Sequence, residues 1–248
     1  MWGRTVFTKY GGGCLRNLLI SREVPKTGDI DQIHVIRGKL YEDTYGDRLD
    51  ATGTDYEREL AIYEERDDGI FTGHIDYFVG GSRVDELKST QSKSRLRDIK
   101  KGEYIEDNLA QAVSYMMAQN VQVGKLVYSY WEPQPDGALD MKLEYEHNIS
   151  IDKFGRIWLN DVASKWSVHD ILAHQHHAFK VLSENIVWDR PHNYSLLWGS
   201  PCGYCPFKGA CDKYDADGLT TADELIDLAK RGTSPLAISS TSEKEVSE

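Results

Sequence analysis

Apolar residues recur along the chain at two spacings, and the alternation between them lays out a mixture of helices and strands. Leu15, Leu18 and Leu19 stand at i, i+3, i+4 after the glycine-rich Tyr10-Gly11-Gly12-Gly13, which predicts a helix over 10–22. A second helix is predicted over 38–50. Residues 57–63 and 69–79 carry β-branched and aromatic side chains and predict extended segments. Gly80-Gly81 then marks a tight turn, and 83–89 the strand that follows it. A helix is predicted over 105–119, a buried strand from Lys125 to Trp131, another from Met141 to Ile151, and a histidine-rich helix over 167–185. Thr221 and Glu224 form a capping box that opens a short helix ending near Arg231. Beyond Gly232 the chain is Ser, Thr, Glu and Lys with little to bury, which predicts disorder. No internal repeat is present. The expected fold class is α/β or α+β, with one large domain.

Composition changes this picture in two respects. No apolar run is long enough to cross a bilayer, and the opening Met1-Trp2-Gly3-Arg4-Thr5 lacks a secretory layout, so the expected location is the cytoplasm, where thiols stay reduced, with no membrane partner. The net charge of −11 argues against a polyanionic partner until its distribution is read. Residues 83–101 hold seven basic side chains against three acidic ones, leaving 22 basic and 37 acidic residues elsewhere. A basic patch in an acidic body is compatible with nucleic acid when the positive charge is local and cations sit in the site.

Candidate chemistry gathers beside that patch, in Gly73-His74-Ile75-Asp76 followed by Asp85-Glu86-Leu87-Lys88. On a strand Glu86 and Lys88 share a face. A two-residue Gly80-Gly81 loop sets Asp76 against Asp85. A three-residue Gly80-Gly81-Ser82 loop sets it against Glu86, gathering two carboxylates and a lysine. Two carboxylates with an open edge suit Mg²⁺ or Mn²⁺, and a lysine beside them can orient water or stabilise a pentavalent transition state. Without the second register, the same residues make an ordinary surface hairpin.

The constellation resembles the PD-(D/E)xK nucleases, and in particular their RecB-like branch. That branch has a GxxD strand (here Gly73 to Asp76), a (D/E)xK strand (Glu86 to Lys88, followed by Ser89-Thr90) and a helix with QxxxY (Gln111 to Tyr115). The resemblance implies a restriction-endonuclease-type core, a central mixed sheet flanked by helices. It implies that Asp76, Glu86 and Lys88 are catalytic, and that Gln111 and Tyr115 support the site. The branch places a metal-binding histidine on an earlier helix. Gly38-Lys39-Leu40-Tyr41-Glu42 offers Glu42 there instead, and Glu57 after Gly53 is the alternative. The implied reaction is hydrolysis of DNA phosphodiester bonds, by exonuclease action on single-stranded ends, in repair, recombination, CRISPR spacer capture or a viral equivalent. The implied partners are DNA and recombination or CRISPR adaptation proteins. Lys93, Arg95, Arg97, Lys100 and Lys101 are the expected phosphate contacts. No Walker sequence accompanies these motifs, so the expectation is a standalone nuclease or a subunit without its own motor.

Cys202, Cys205 and Cys211 form a C-x2-C-x5-C run, and Cys14 is the remaining cysteine. In a reducing compartment four thiolates indicate a metal centre, and both zinc and iron–sulfur accept them. The resemblance selects between these. A subset of RecB-like nucleases, including CRISPR-associated exonucleases and AddAB-type helicase–nucleases, holds a 4Fe–4S cluster with one early and three late cysteines. The expected organisation is a nuclease domain over 1–218, with its core at about 30–150 and a clasp from Cys14 and 155–215, followed by a helix and tail over 219–248. Four histidines, His169, His174, His176 and His177, read as a polar helix face, and Trp131 and Trp198 as candidates for stacking on bases. A reading from another class is a non-catalytic DNA-binding or adaptor protein with a structural metal.

Overall fold

A computed structural model describes residues 6–7, 15–24, 32–66, 69–103, 106–135, 138–187, 205 and 207–232. The chain divides into two compact units, one of residues 1–12 and 29–176 and one of residues 13–28 and 177–248. The predicted tail, Trp198, Cys14 and Cys202 fall outside the described residues.

The larger unit is built on an eight-stranded mixed sheet. Its strands are β1 (Val6–Phe7), β2 (Tyr56–Arg66), β3 (Gly69–Val79), β4 (Arg83–Thr90), β5 (Val123–Pro133), β6 (Leu139–Ile151), β7 (Arg156–Leu159) and β8 (Val162–Ser167). They run in the order β1-β3-β4-β5-β6-β7-β8, with β2 antiparallel on β3. The fold class is therefore mixed α/β. The β4 and β5 strands are parallel, and the crossover between them carries α3 (Lys93–Lys100) and α4 (Glu106–Ala118). Val84, Leu126 and Val127 are fully buried, which marks β4 and β5 as the sheet's centre. Helix α2 (Gln32–Ala51) packs Tyr41 and Tyr45 against Tyr77, Val79, Leu87, Val127 and Trp131.

Three differences from the sequence expectation have clear causes. The basic segment after β4, for which the sequence pattern predicts no element, holds the helix α3: Ser92 caps it by accepting from the Arg95 backbone N–H, and Ile99 anchors it in the core. The hairpin of β7 and β8 is too short and too exposed to carry a readable alternation. Trp131 is buried, donates from Nε1 to Ser129 Oγ at 2.8 Å and meets the Tyr41 ring edge-on, so it belongs to the core and is not a stacking platform for bases.

The smaller unit joins α1 (Leu15–Glu23) to α6 (Lys208–Ala216) and α7 (Ala222–Gly232), and takes in the last part of α5 (Val168–Glu184). Ile20, Val24, Phe207, Cys211, Tyr214, Leu225, Ile226 and Ala229 form its core. The expected boundary at 218/219 lies between α6 and α7, which share this core. The cysteine-rich segment thus contributes apolar side chains of its own. Arg16 is buried, bridges to Asp215 Oδ1 at 2.6 Å and lies over the Tyr214 ring at 5.2 Å.

Candidate metal centre

The site begins with a turn. Gly80 and Gly81 both adopt left-handed backbone, φ +57° and +62°, and Ser82 N–H closes on Val79 C=O at 3.2 Å. The resulting register is Tyr77↔Asp85, Phe78↔Val84 and Val79↔Arg83, a three-residue loop. Continued by one step it sets Asp76 against Glu86. That rung is not made. Instead Leu87 N–H donates to Asp76 Oδ2 at 2.6 Å, and the two strands part there as a fork.

Each branch of the fork carries acid into a dry place. Glu86 is fully buried. Lys88, two residues on, makes an ion pair with Glu86 Oε1, while Glu86 Oε2 is buried with no hydrogen-bond partner. Burial, and then the charge of Glu86, push the Asp76 carboxyl well above the usual range, against the pull of Lys88 and the Leu87 N–H. Burial also raises Glu86 despite Lys88. Burial would lower Lys88, but the charges of Glu86 and Asp76 outweigh it and hold the ammonium above its ordinary value. Two carboxylates that resist ionisation beside one firmly charged lysine describe a pocket short of positive charge.

A third carboxylate comes from α2. Tyr77 Oη donates to Glu42 C=O at 2.6 Å, tying that turn of the helix to β3, and burial pushes the phenol up to about 12. Arg58 Nη2 donates to Glu42 Oε2 at 3.1 Å and its Nη1 lies 2.7 Å from Asp43. A fourth, Glu59, lies on β2. Donor oxygens of Glu42, Glu59 and Asp76 all lie within 4.8 Å of one another, close enough to share a cation. Glu57, the alternative to Glu42, is outside that group, two positions from the residue of β2 that enters it. The expected ligand set was Asp76, Glu86 and Glu42. The clustered set is Glu42, Glu59 and Asp76, with Glu86 engaged by Lys88 behind it.

Glu59 was not legible from motif spacing. It has φ +52°, a left-handed conformation that costs a non-glycine residue about 1 kcal/mol or more. A signal was nonetheless present. Asp67-Asp68-Gly69 is a turn sequence, and a two-residue loop at 67–68, which yields the observed pair Arg66↔Gly69, sets residue 59 against Asp76.

Gln111 and Tyr115 stand four apart on α4, and Gln111 Nε2 donates to Tyr115 Oη at 3.0 Å. Tyr115 is buried over Gly73, and its ring centroid lies 6.2 Å from that of Phe71. Burial raises its phenol, as does the charge of Glu86 to a smaller degree.

On the other side of the site, β4 leads directly into α3. Lys93, Arg97, Lys100 and Lys101 are exposed; Arg95 is half-buried with Nη1 3.9 Å from Asp98. Asp85, next to Glu86, is fully buried but belongs to a different network: Tyr45 Oη donates to it at 2.8 Å and Arg83 grips both oxygens at 2.7 and 2.8 Å.

In the smaller unit Asn17 Nδ2 donates to Cys205 Sγ at 3.3 Å, and Cys211 is buried in the apolar core. Among the described residues no helix is long and apolar enough to cross a membrane.

No family model and no curated protein matches the chain. Among solved structures it is similar to SSO0001, at 19% identity and a TM-score of 0.48 over 79% of each chain. It is also similar to LHK-Exo in complex with dAMP, at 16% identity and a TM-score of 0.47, covering 74% of this chain and 89% of that one. The alkaline exonuclease LHK-Exo from Laribacter hongkongensis matches in a further structure at 17% identity and a TM-score of 0.44, covering 68% of this chain and 78% of that one.

Proposed function

We propose that this chain is a metal-dependent DNA nuclease, an exonuclease acting on single-stranded ends. The observation that carries this reading is the fork itself. It brings clustered carboxylates to a fully buried Glu86 that is paired with the partly buried Lys88 and whose second carboxylate oxygen has no partner. A buried acceptor left without a donor is costly, and a hard divalent cation satisfies it. Asp76, Glu86 and Glu42 would hold Mg²⁺ or Mn²⁺, and their all-oxygen donor chemistry fits those ions. Such an ion supplies Lewis acidity toward a phosphodiester oxygen and toward water. Lys88, fixed by Glu86, presents a permanent positive charge where the attacked phosphate gains negative charge. Tyr115, held by Gln111, walls the pocket beside Lys88. The exposed cations of α3 hold the sugar–phosphate chain, with Arg95 in a lesser role because Asp98 engages it. Repair, recombination, CRISPR spacer capture and a viral equivalent are the settings in which single-stranded ends need such an enzyme, and recombination or CRISPR adaptation proteins are its natural partners.

Cys14, Cys202, Cys205 and Cys211 would hold a 4Fe–4S cluster as a structural clasp. The Asn17–Cys205 contact supports this, because Asn17 follows Cys14 by three residues in sequence and an N–H···S bond of this kind suits a ligated sulfur. Hydrolysis needs no electrons, so the cluster's part would be to join the chain just before α1 to α6 and the segment preceding it. Anaerobically purified protein should be brown. Colourless protein with stoichiometric zinc would replace iron but keep the clasp.

The deciding experiment is cleavage of end-labelled single-stranded DNA by the pure protein with Mg²⁺ or Mn²⁺, with EDTA, and with Asp76→Asn. Cleavage that survives EDTA or the substitution would contradict the reading. DNA binding without cleavage in any metal would favour the adaptor alternative.

A further inference from the structure

The β2–β3 ladder pairs its residues from Tyr56↔Val79 to Arg66↔Gly69 with one rung missing, that of Glu59 and Asp76. The register is the same on both sides of the gap, so no residue is inserted and the break is not a bulge. It arises from the left-handed backbone of Glu59. The other described non-glycine residues with positive φ are Asn120, Asn160, Asp161 and Asn185, types that tolerate this conformation. Glu59 is the exception, a long side chain held there within a strand.

The break leaves a Glu59 carboxylate oxygen within 4.8 Å of donors on Glu42 and Asp76. An independent feature points to a cation beside this cluster. Glu86, fully buried and one rung from the end of the β3–β4 pairing, has its Oε2 without a partner, and it feels the charges of both Glu59 and Glu42. Carboxylates from α2, β2 and β3 thus cluster beside the Glu86–Lys88 pair of β4, with Arg58 engaged on Glu42.

The geometry points to Glu59 as a direct ligand of the catalytic cation, shared with Glu42 and Asp76, and to its strained backbone as the means by which β2 delivers that ligand. This rests on the metal-dependent reading of the site. It adds a residue outside the motifs from which that reading began. A ligand set of carboxylates alone, without imidazole or thiolate, favours Mg²⁺ and Mn²⁺ over zinc, nickel or copper.

The test measures Mn²⁺ binding to the full chain by calorimetry and by the Mn²⁺ electron-spin resonance signal, without DNA. Glu59→Gln should weaken Mn²⁺ binding at least about tenfold, as loss of a ligand does. Glu59→Gly should weaken it equally, yet raise the metal-free melting temperature, because glycine adopts positive φ without strain. Glu57→Gln, two positions away and outside the cluster, should bind as wild type. Glu59→Gln within about twofold of wild type, with binding lost in Asp76→Asn, would overturn the ligand assignment and leave the nuclease reading standing. A Glu59→Gly protein that melts lower without metal would overturn the strain argument. Wild-type protein with no Mn²⁺ affinity would remove both readings together.

Discussion

A methyl group placed on Gly73 would lie 2.6 Å from Tyr115 Cε1 and 2.9 Å from its hydroxyl oxygen. The glycine of β3 and the tyrosine of α4 are therefore fitted with no space for a side chain between them. Gly73→Ala should push the ring aside, cost about 1–3 kcal/mol as overpacking does, and lower cleavage by disturbing the wall beside Lys88. A double-mutant cycle in denaturant checks this: Tyr115→Ala should recover most of the loss, and additive effects would show that the two residues do not compete for the same space.

Lys88→Ala removes more than the charge proposed to act on the phosphate. It strands Glu86, which is fully buried and has Lys88 as its ion partner. Breaking such a pair costs about 3–5 kcal/mol while the remaining group stays ionised. Glu86 can escape by taking up a proton, so the destabilisation should be small in acid and grow as pH rises. Chemical denaturation of Lys88→Ala across pH measures it; a pH-independent loss would mean that Glu86 is not left charged and alone.

In the metal-free protein, Asp76 and Glu86 should contribute a loss of stability as pH rises above about 4, which Asp76→Asn and Glu86→Gln should remove. Burial and neighbouring charge raise the Asp76 and Glu86 carboxyls in the folded state. An acid raised on folding contributes stability that is complete below its unfolded pKa of about 4 and is lost as pH rises through the folded value. A cation needs these groups ionised, so it displaces protons, and its affinity should climb by up to about tenfold per pH unit for each proton released. Melting curves with and without Mn²⁺ should separate further as pH increases. A constant gap would mean that neither carboxyl is protonated in the free site.

Charge neutralisation on α3 and its C-cap Lys101 should act on DNA and not on the fold. Lys93, Arg97, Lys100 and Lys101 are exposed. Replacing all four with Gln should flatten the salt dependence of binding by about 0.7 per lost contact on single-stranded DNA. Arg95→Gln should change the slope less, because Asp98 engages that guanidinium. An unchanged slope in the fourfold variant would send the DNA path elsewhere.

Sequence carried the frame of the site because its signals are local. Gly80-Gly81 marks the turn and leaves two loop lengths open, and the three-residue loop adopted gives the register that, continued by one step, sets Asp76 against Glu86. The four-residue step from Gln111 to Tyr115 likewise fixes a helical neighbour contact. Glu59 escaped because its role is created by a backbone conformation that glutamate does not favour, opposite a residue on another strand. The α3 helix escaped for a different reason. Its charge hid a period in which a single residue, Ile99, is fully buried. The depth of Glu86 was also unreadable: a charged residue on a strand reads as surface until the helices that cover it are in place.

The bridge from Arg16 to Asp215 joins residues 199 positions apart. A ribosome adding about 5–20 residues per second makes the first of these some 10–40 s before the second. During that interval α1 is a nascent helix whose partners have not been translated. Leu19 and Ile20, fully buried in the finished protein, must wait in water or in the keeping of a chaperone. The larger unit, whose sheet is complete at Ser167, is free to fold first. In the order of synthesis, the earliest helix is among the last pieces to be seated.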